Sequence, residues 1–205
     1  DLAEAYSVVQ ETFAEASAVL GYDLWQLSQE GPQEALNMTE RTQPLLLAAS
    51  VAIWRVWQQE KVEQPAVMAG HSLGEWSALV CAGVVKFSDA IRLVQLRGKY
   101  MQEAVPSGVG SMAAIIGLDD ESIVEACQTA AGNEVVSAVN FNSPGQVVIA
   151  GHVNAVDRAI AICKEKGAKK AMPLSVSAPF HSALLKPAAD RLADEIANVE
   201  FKSPI

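Results

Sequence analysis

The feature that most constrains this chain is a short turn signal, Gly70-His71-Ser72-Leu73-Gly74, set between an apolar run and a stretch of helical periodicity. Residues 66–69 have the length and composition of a buried parallel strand, and residues 75–82 read as a helix that Gly83 ends. A strand that reverses this abruptly into a helix needs glycines beside the turn, and a serine at its apex is held with its hydroxyl raised from the backbone. The Leu73 N–H then lies at the positive end of the helix, where negative charge develops on an attacked carbonyl oxygen. Ser72 is therefore a candidate nucleophile and Leu73 a candidate oxyanion-hole donor.

Around this turn the chain reads as an α/β protein of two lobes. Leu2, Val9, Phe13, Ala16 and Leu20 recur at near-helical spacing before Gly21. Thr42, Gln43 and Pro44 introduce a second, largely apolar helix over residues 45–57, with the proline expected in its first turn. Ser88 and Asp89 are expected to cap a helix reaching about Val105, and Pro106, Ser107, Gly108 and Gly110 read as a linker. Beyond it the order is strand (111–117), helix capped by Asp119 or Asp120, strand (135–139), a loop holding Asn142 to Gly145, strand (146–150), helix (154–166) and strand (169–176). This βαββαβ order is that of the ferredoxin-like split unit. The expected organisation is a large α/β-hydrolase-like lobe from residues 1–106 and 177–205, incomplete at both ends, with a ferredoxin-like small lobe, 107–176, inserted into it.

Composition narrows the partners. With 205 residues, 50% of them hydrophobic, the chain is long enough for one sizeable core and a smaller one. Its longest apolar run, from Pro44 to Trp54, is stopped by Arg55 and falls short of the roughly 20 residues of a membrane-spanning helix. The formal charge of −9 speaks against a nucleic-acid partner, whose phosphates require basic charge. Cys81, Cys127 and Cys163 lack metal-ligand spacing, so neither a zinc site nor a disulfide framework is expected, and a reducing, cytoplasmic setting fits. The start at Asp1 and a strand-like approach at residues 201–205 suggest an excised piece of a longer protein.

A serine hydroxyl needs a base within hydrogen-bond reach. His71 neighbours Ser72 on a turn where adjacent side chains diverge, and His152 reads as the end of a strand. His181, in Ala178-Pro179-Phe180-His181-Ser182, is the candidate base. An acid to orient it, lying between the serine and the histidine, is not found: Asp89, Asp119 and Asp120 stand at helix starts and Asp157 within a helix. A Ser-His dyad is expected.

The segments Gly70-His71-Ser72-Leu73-Gly74-Glu75-Trp76-Ser77-Ala78, Leu96-Arg97-Gly98-Lys99-Tyr100-Met101-Gln102, Asn140-Phe141-Asn142-Ser143-Pro144-Gly145-Gln146 and His181-Ser182-Ala183-Leu184-Leu185-Lys186-Pro187-Ala188 together resemble the malonyl-CoA:acyl-carrier-protein transacylases of bacterial fatty acid synthesis. The resemblance spans nearly the whole chain. It implies that Ser72 carries a malonyl ester, that His181 is its general base, and that Arg97 grips the free carboxylate of malonate, to which a planar guanidinium is suited. It also implies that Asn140 and Asn142 face the cleft from the small lobe and that Phe180 crowds out a methyl on the α-carbon of the acyl group; Met101, one helical turn beyond Arg97, is expected to line the same cleft. Trp76 departs from the family's usual tyrosine. The family's opening Gly/Gln-rich loop, source of a second oxyanion N–H, and its closing segments are not found in the sequence, and losing one such donor costs about 10² to 10³ in rate.

The implied partners are malonyl-CoA and acyl carrier protein, with coenzyme A entering as substrate and no cofactor, metal, nucleic acid or membrane. Lys164, Lys166, Lys169, Lys170, Lys186 and Arg191 are candidate contacts for an acidic carrier. The main alternative is a serine hydrolase or thioesterase built on the same turn, and a second is a non-catalytic carrier-binding module.

Overall fold

The computed structural model describes residues 1–106, 108–174, 176 and 178–205. Ser107 and Ser177, where the sequence suggested lobe boundaries, and Ser175, within the last expected strand, lie outside the described residues. The chain forms two compact units, Asp1–Lys99 with Leu192–Ile205, and Tyr100–Arg191. The protein is of mixed α/β structure with one antiparallel sheet.

In the first unit the described elements are helices: α1 (Leu2–Ala5), α2 (Ser7–Leu20), α3 (Leu24–Glu30), α4 (Gln33–Leu36), α5 (Thr39–Gln59), α6 (Leu73–Cys81) and the greater part of α7 (Phe87–Ala104). The expected opening helix is two, broken at Tyr6, whose extended backbone (φ −134°, ψ 108°) precedes α2. Gly21 ends α2 in the left-handed conformation (φ 75°), where a glycine carries no Cβ penalty. Leu24, Leu47, Ile91 and Leu93 are fully buried at the centre of this unit, and the rings of Phe13 and Trp25 meet edge to face at 5.1 Å.

Two expectations need correction here. Helix α5 begins at Thr39, so Pro44 lies inside it and not in its first turn; Arg41 and Thr42 already donate backbone bonds to Met38. Residues 66–69 form no strand. A strand exists through its ladder partners, and no described residue of this unit is in one; Val67 is 82% exposed. The extended C-terminal residues instead attach beyond α6, Lys202 N–H donating to the Val84 carbonyl (2.8 Å) and Ile205 N–H to that of Ala82 (3.1 Å).

The second unit contains β1 (Gly110–Ile116), α8 (Asp120–Ala131), β2 (Val136–Ser143), β3 (Gln146–His152), α9 (Val153–Glu165), β4 (Lys170–Pro173), a 3-10 turn (Ala183–Leu185) and the start of α10 (Lys186–Ile196). The strands lie in the order β2-β3-β1-β4, all neighbours antiparallel. Asp119, of the two candidates, caps α8 by accepting from Ser122 N–H at 2.8 Å. Alternation divides the sheet. Ala113, Ile115, Val147 and Ile149 pack on one side with Ile123, Cys127, Val156 and Cys163 of the two helices, while Met112, Val148 and Ala150 form a smaller cluster with Val139, Leu174 and Phe180.

Strand β2 runs further than expected. It reaches Ser143, with register shifts between Ala138 and Asn140 and between Phe141 and Ser143, so Asn140 and Asn142 are strand residues and Asn142 is not in the loop. Pro144 and Gly145 (φ 73°) alone make the turn, supplying the fixed negative φ and the positive φ that a type II turn requires at its two central positions.

Candidate active site

Ser72 is the N-cap of α6 and has backbone angles of φ 53° and ψ −110°, outside the regions that residues with a Cβ ordinarily occupy. Gly70 makes this turn possible: a Cβ there would fall 2.0 Å from the carbonyl carbon and oxygen of Gly74, whereas one on Gly74 would meet nothing. The turn is tied by Gly74 N–H donating to the His71 carbonyl (2.9 Å). Ser72-Leu73-Gly74-Glu75 has the S-x-x-E pattern of a capping box, in which the serine oxygen accepts from the helix's own N–H groups. That bond is absent. The strained backbone turns the hydroxyl elsewhere, and its oxygen accepts from Arg97 Nη2 at 3.1 Å. Leu73 occupies the first position of α6, where a helix N–H has no acceptor in its own helix.

Arg97 comes from α7 and is braced by a residue the sequence reading left unassigned. Its Nη1 donates to Gln43 Oε1 at 2.6 Å, and Gln43 is only 6% exposed. Gly98 explains how α5 and α7 approach: a Cβ there would lie 2.5 Å from the Thr39 carbonyl oxygen and 2.7 Å from Glu40 Cα. Burial lowers the Arg97 pKa from its ordinary value, opposed by the nearby Glu75 carboxylate, which favours the cation. Glu103, further along α7, accepts from Arg191 at 2.7 Å.

The other candidates belong to the second unit. His181 is exposed and, like Ser72, has a positive φ (63°). Its turn is fixed by the buried Ser182 hydroxyl, which donates to the Pro179 carbonyl at 2.8 Å. Phe180 packs against the smaller cluster on the sheet. Asn140 stands opposite Val148 of that cluster in the β2–β3 register, Asn142 is exposed, and Met101 is buried. His152 ends β3, and its Nδ1 accepts from Val135 N–H at 2.9 Å. Burial pushes the Cys81 thiol up to about 11 and, with the neighbouring Cys163, that of Cys127 to about 12; Cys163 is raised by the same cause. Among the described residues no cluster of three or more His, Cys, Asp or Glu could hold a metal ion, and no helix is long and apolar enough to cross a membrane.

The chain belongs to the acyl transferase domain family, whose model matches residues 3–204 and so spans the strained serine and the braced arginine. It is 67% identical over 204 residues to the malonyl CoA-acyl carrier protein transacylase of Escherichia coli K12, covering all of this chain and 66% of that protein. Among solved structures it resembles an acyl carrier protein S-malonyltransferase from Vibrio cholerae (69% identity, TM-score 0.98, covering all of this chain and 67% of that one). A malonyl-transacylase in complex with a type II polyketide-synthase acyl-carrier protein is 65% identical, with a TM-score of 0.98, this chain spanning 66% of its length.

Proposed function

We propose that the protein moves a malonyl group from malonyl-CoA to the phosphopantetheine thiol of an acyl carrier protein, in fatty acid biosynthesis, through an ester on Ser72. The observation that carries this reading is the Arg97 guanidinium donating to the Ser72 hydroxyl oxygen at 3.1 Å. An acyl group esterified to that oxygen and ending in a carboxylate has a cation within reach, and a neutral acyl group has no use for one. The names of the relatives point to the same reaction.

In the first half-reaction Ser72 Oγ attacks the thioester carbon, His181 takes the hydroxyl proton, the Leu73 N–H stabilises the oxyanion, and coenzyme A leaves. In the second, the carrier's thiol attacks the ester as His181 takes its proton, the bond from the acyl carbon to Ser72 Oγ breaks, and His181 returns the proton to that oxygen. Ping-pong kinetics follow. Arg97 holds the malonyl carboxylate, with Met101, Asn140 and Asn142 lining the site and Phe180 opposing an α-methyl branch. No cofactor or metal is needed, because the thioester is itself activated. Three free thiols support a cytoplasmic setting. Element order βαββαβ and strand order β2-β3-β1-β4 support a ferredoxin-like small lobe over residues 107–176. The Ser72 turn supports a hydrolase-like large lobe from residues 1–106 and 177–205.

Incubating the full-length protein with malonyl-CoA should add one malonyl mass to the peptide bearing Ser72, and supplying holo carrier protein should move it there. Release of free malonate without carrier loading would favour a thioesterase, and no adduct on Ser72 would remove the enzymatic reading.

A further inference from the structure

Arg97 Nη2 donates to the same oxygen that must attack the thioester (3.1 Å), while Nη1 is held by Gln43 Oε1 (2.6 Å). Ser72, whose strained backbone withdraws its hydroxyl from the helix N–H groups it would otherwise cap, is thereby held by a cation. A hydrogen bond from a charged donor engages a lone pair of the oxygen and opposes its use in forming a bond to carbon. A carboxylate is a better acceptor for a guanidinium than a hydroxyl is, because it offers two anionic oxygens in matching geometry. The guanidinium can therefore exchange its weaker acceptor for a stronger one only when the incoming acyl group carries a carboxylate.

We propose that Arg97 clamps the nucleophile and that the carboxylate of the acyl thioester releases it, so that selection acts on the reactivity of Ser72 as well as on binding. The inference rests on the reading of Ser72 as nucleophile given above. In the released state Ser72 Oγ forms a bond to the thioester carbon and the carbon–sulfur bond breaks. The hydroxyl proton passes to His181 and then to the departing sulfur. A neutral acyl thioester must undergo the same steps against the clamp, with nothing offered to Arg97 in exchange. Gln43 supports this division of roles, since it holds one amine of the guanidinium and leaves the other to swing between serine and substrate.

The test is a single-turnover measurement on the full-length protein, following by mass the acetyl adduct on Ser72 at increasing acetyl-CoA. Arg97→Ala should raise the adduct-forming rate at saturating acetyl-CoA on the order of tenfold. Arg97→Lys, which keeps the charge but lacks the fork that spans Gln43 and Ser72, should raise it less, and it serves if the alanine variant does not fold. Unchanged or slower acetylation at saturation in the folded variants would overturn the clamp. A change confined to the half-saturating concentration would overturn it too, since that is the mark of a purely binding arginine. Failure of the wild type to form a malonyl adduct in the parallel reaction would remove the underlying reading and the clamp with it, and it is told apart because it shows in the unsubstituted protein.

Discussion

Gln43 is the residue on which the site's geometry turns. A buried amide must find a partner or lose stability, and its carbonyl finds Arg97. Substituting Gln43→Leu leaves a guanidinium donor unpaired in a partly buried place and frees the side chain to rotate. We expect malonyl transfer to lose about 10- to 100-fold in kcat/KM, in keeping with a hydrogen bond to a charged group, while acetyl transfer holds or rises as the grip on Ser72 loosens; equal losses for both acyl groups would deny the brace. The sequence singled out Ser72 by its glycine-framed turn and Arg97 by a family segment, and the structure brings the two into contact. Gln43 was not, because before Pro44 it read as the polar entrance to a helix. The available signal was spacing: Gln43 stands four residues before Leu47 and eight before Val51, on the face the helix buries, where an amide needs a partner.

At the level of elements, α5 and α7 meet where Gly98 lets a backbone replace a side chain. Gly98→Ala would gain about 1 kcal/mol in helix propensity, but forcing a Cβ against the fixed backbone of Thr39 and Glu40 costs about 1 to 3 kcal/mol. The expected result is a modestly lower midpoint in chemical denaturation and a larger loss of malonyl transfer, because the Arg97–Gln43 contact opens; an unchanged midpoint together with full activity would show that the approach is not constrained. The βαββαβ order was readable because each of its elements has its own period and its own turn residues. Residues 66–69 misled for the opposite reason. Their composition suits a strand, but a strand is a relation between segments, and no described residue of the first unit offers a partner. Likewise Pro44 marked a helix start only by its usual position; Thr39 begins α5 because the chain before the proline already has acceptors at Met38.

For the whole molecule, the net charge of −9 means that the proposed acidic carrier would have to meet local basic charge. The structure divides the six candidates. Lys166 pairs with Glu125 (2.9 Å), Arg191 with Glu103 (2.7 Å) while lying over the Tyr100 ring, and Lys186 with Asp190. Lys164, Lys169 and Lys170 form no ion pair among the described residues. If the carrier docks on this surface, Lys169→Glu with Lys170→Glu should raise the carrier's KM about three- to tenfold at low salt, and less at high salt, as expected for exposed charges. Lys186→Glu should do little, and a carrier KM untouched by the double reversal would place docking elsewhere.

The setting of the three thiols, Cys127 and Cys163 buried and Cys81 half-buried, has a consequence for fidelity. In the proposed transfer coenzyme A and the carrier both present sulfur, and a reactive thiolate on the protein would be a third destination for the cargo. With burial pushing Cys81 to about 11 and Cys127 to about 12, and raising Cys163 as well, these thiols stay protonated near neutral pH and would leave the proposed Ser72 ester as the stopping point between one sulfur and the next.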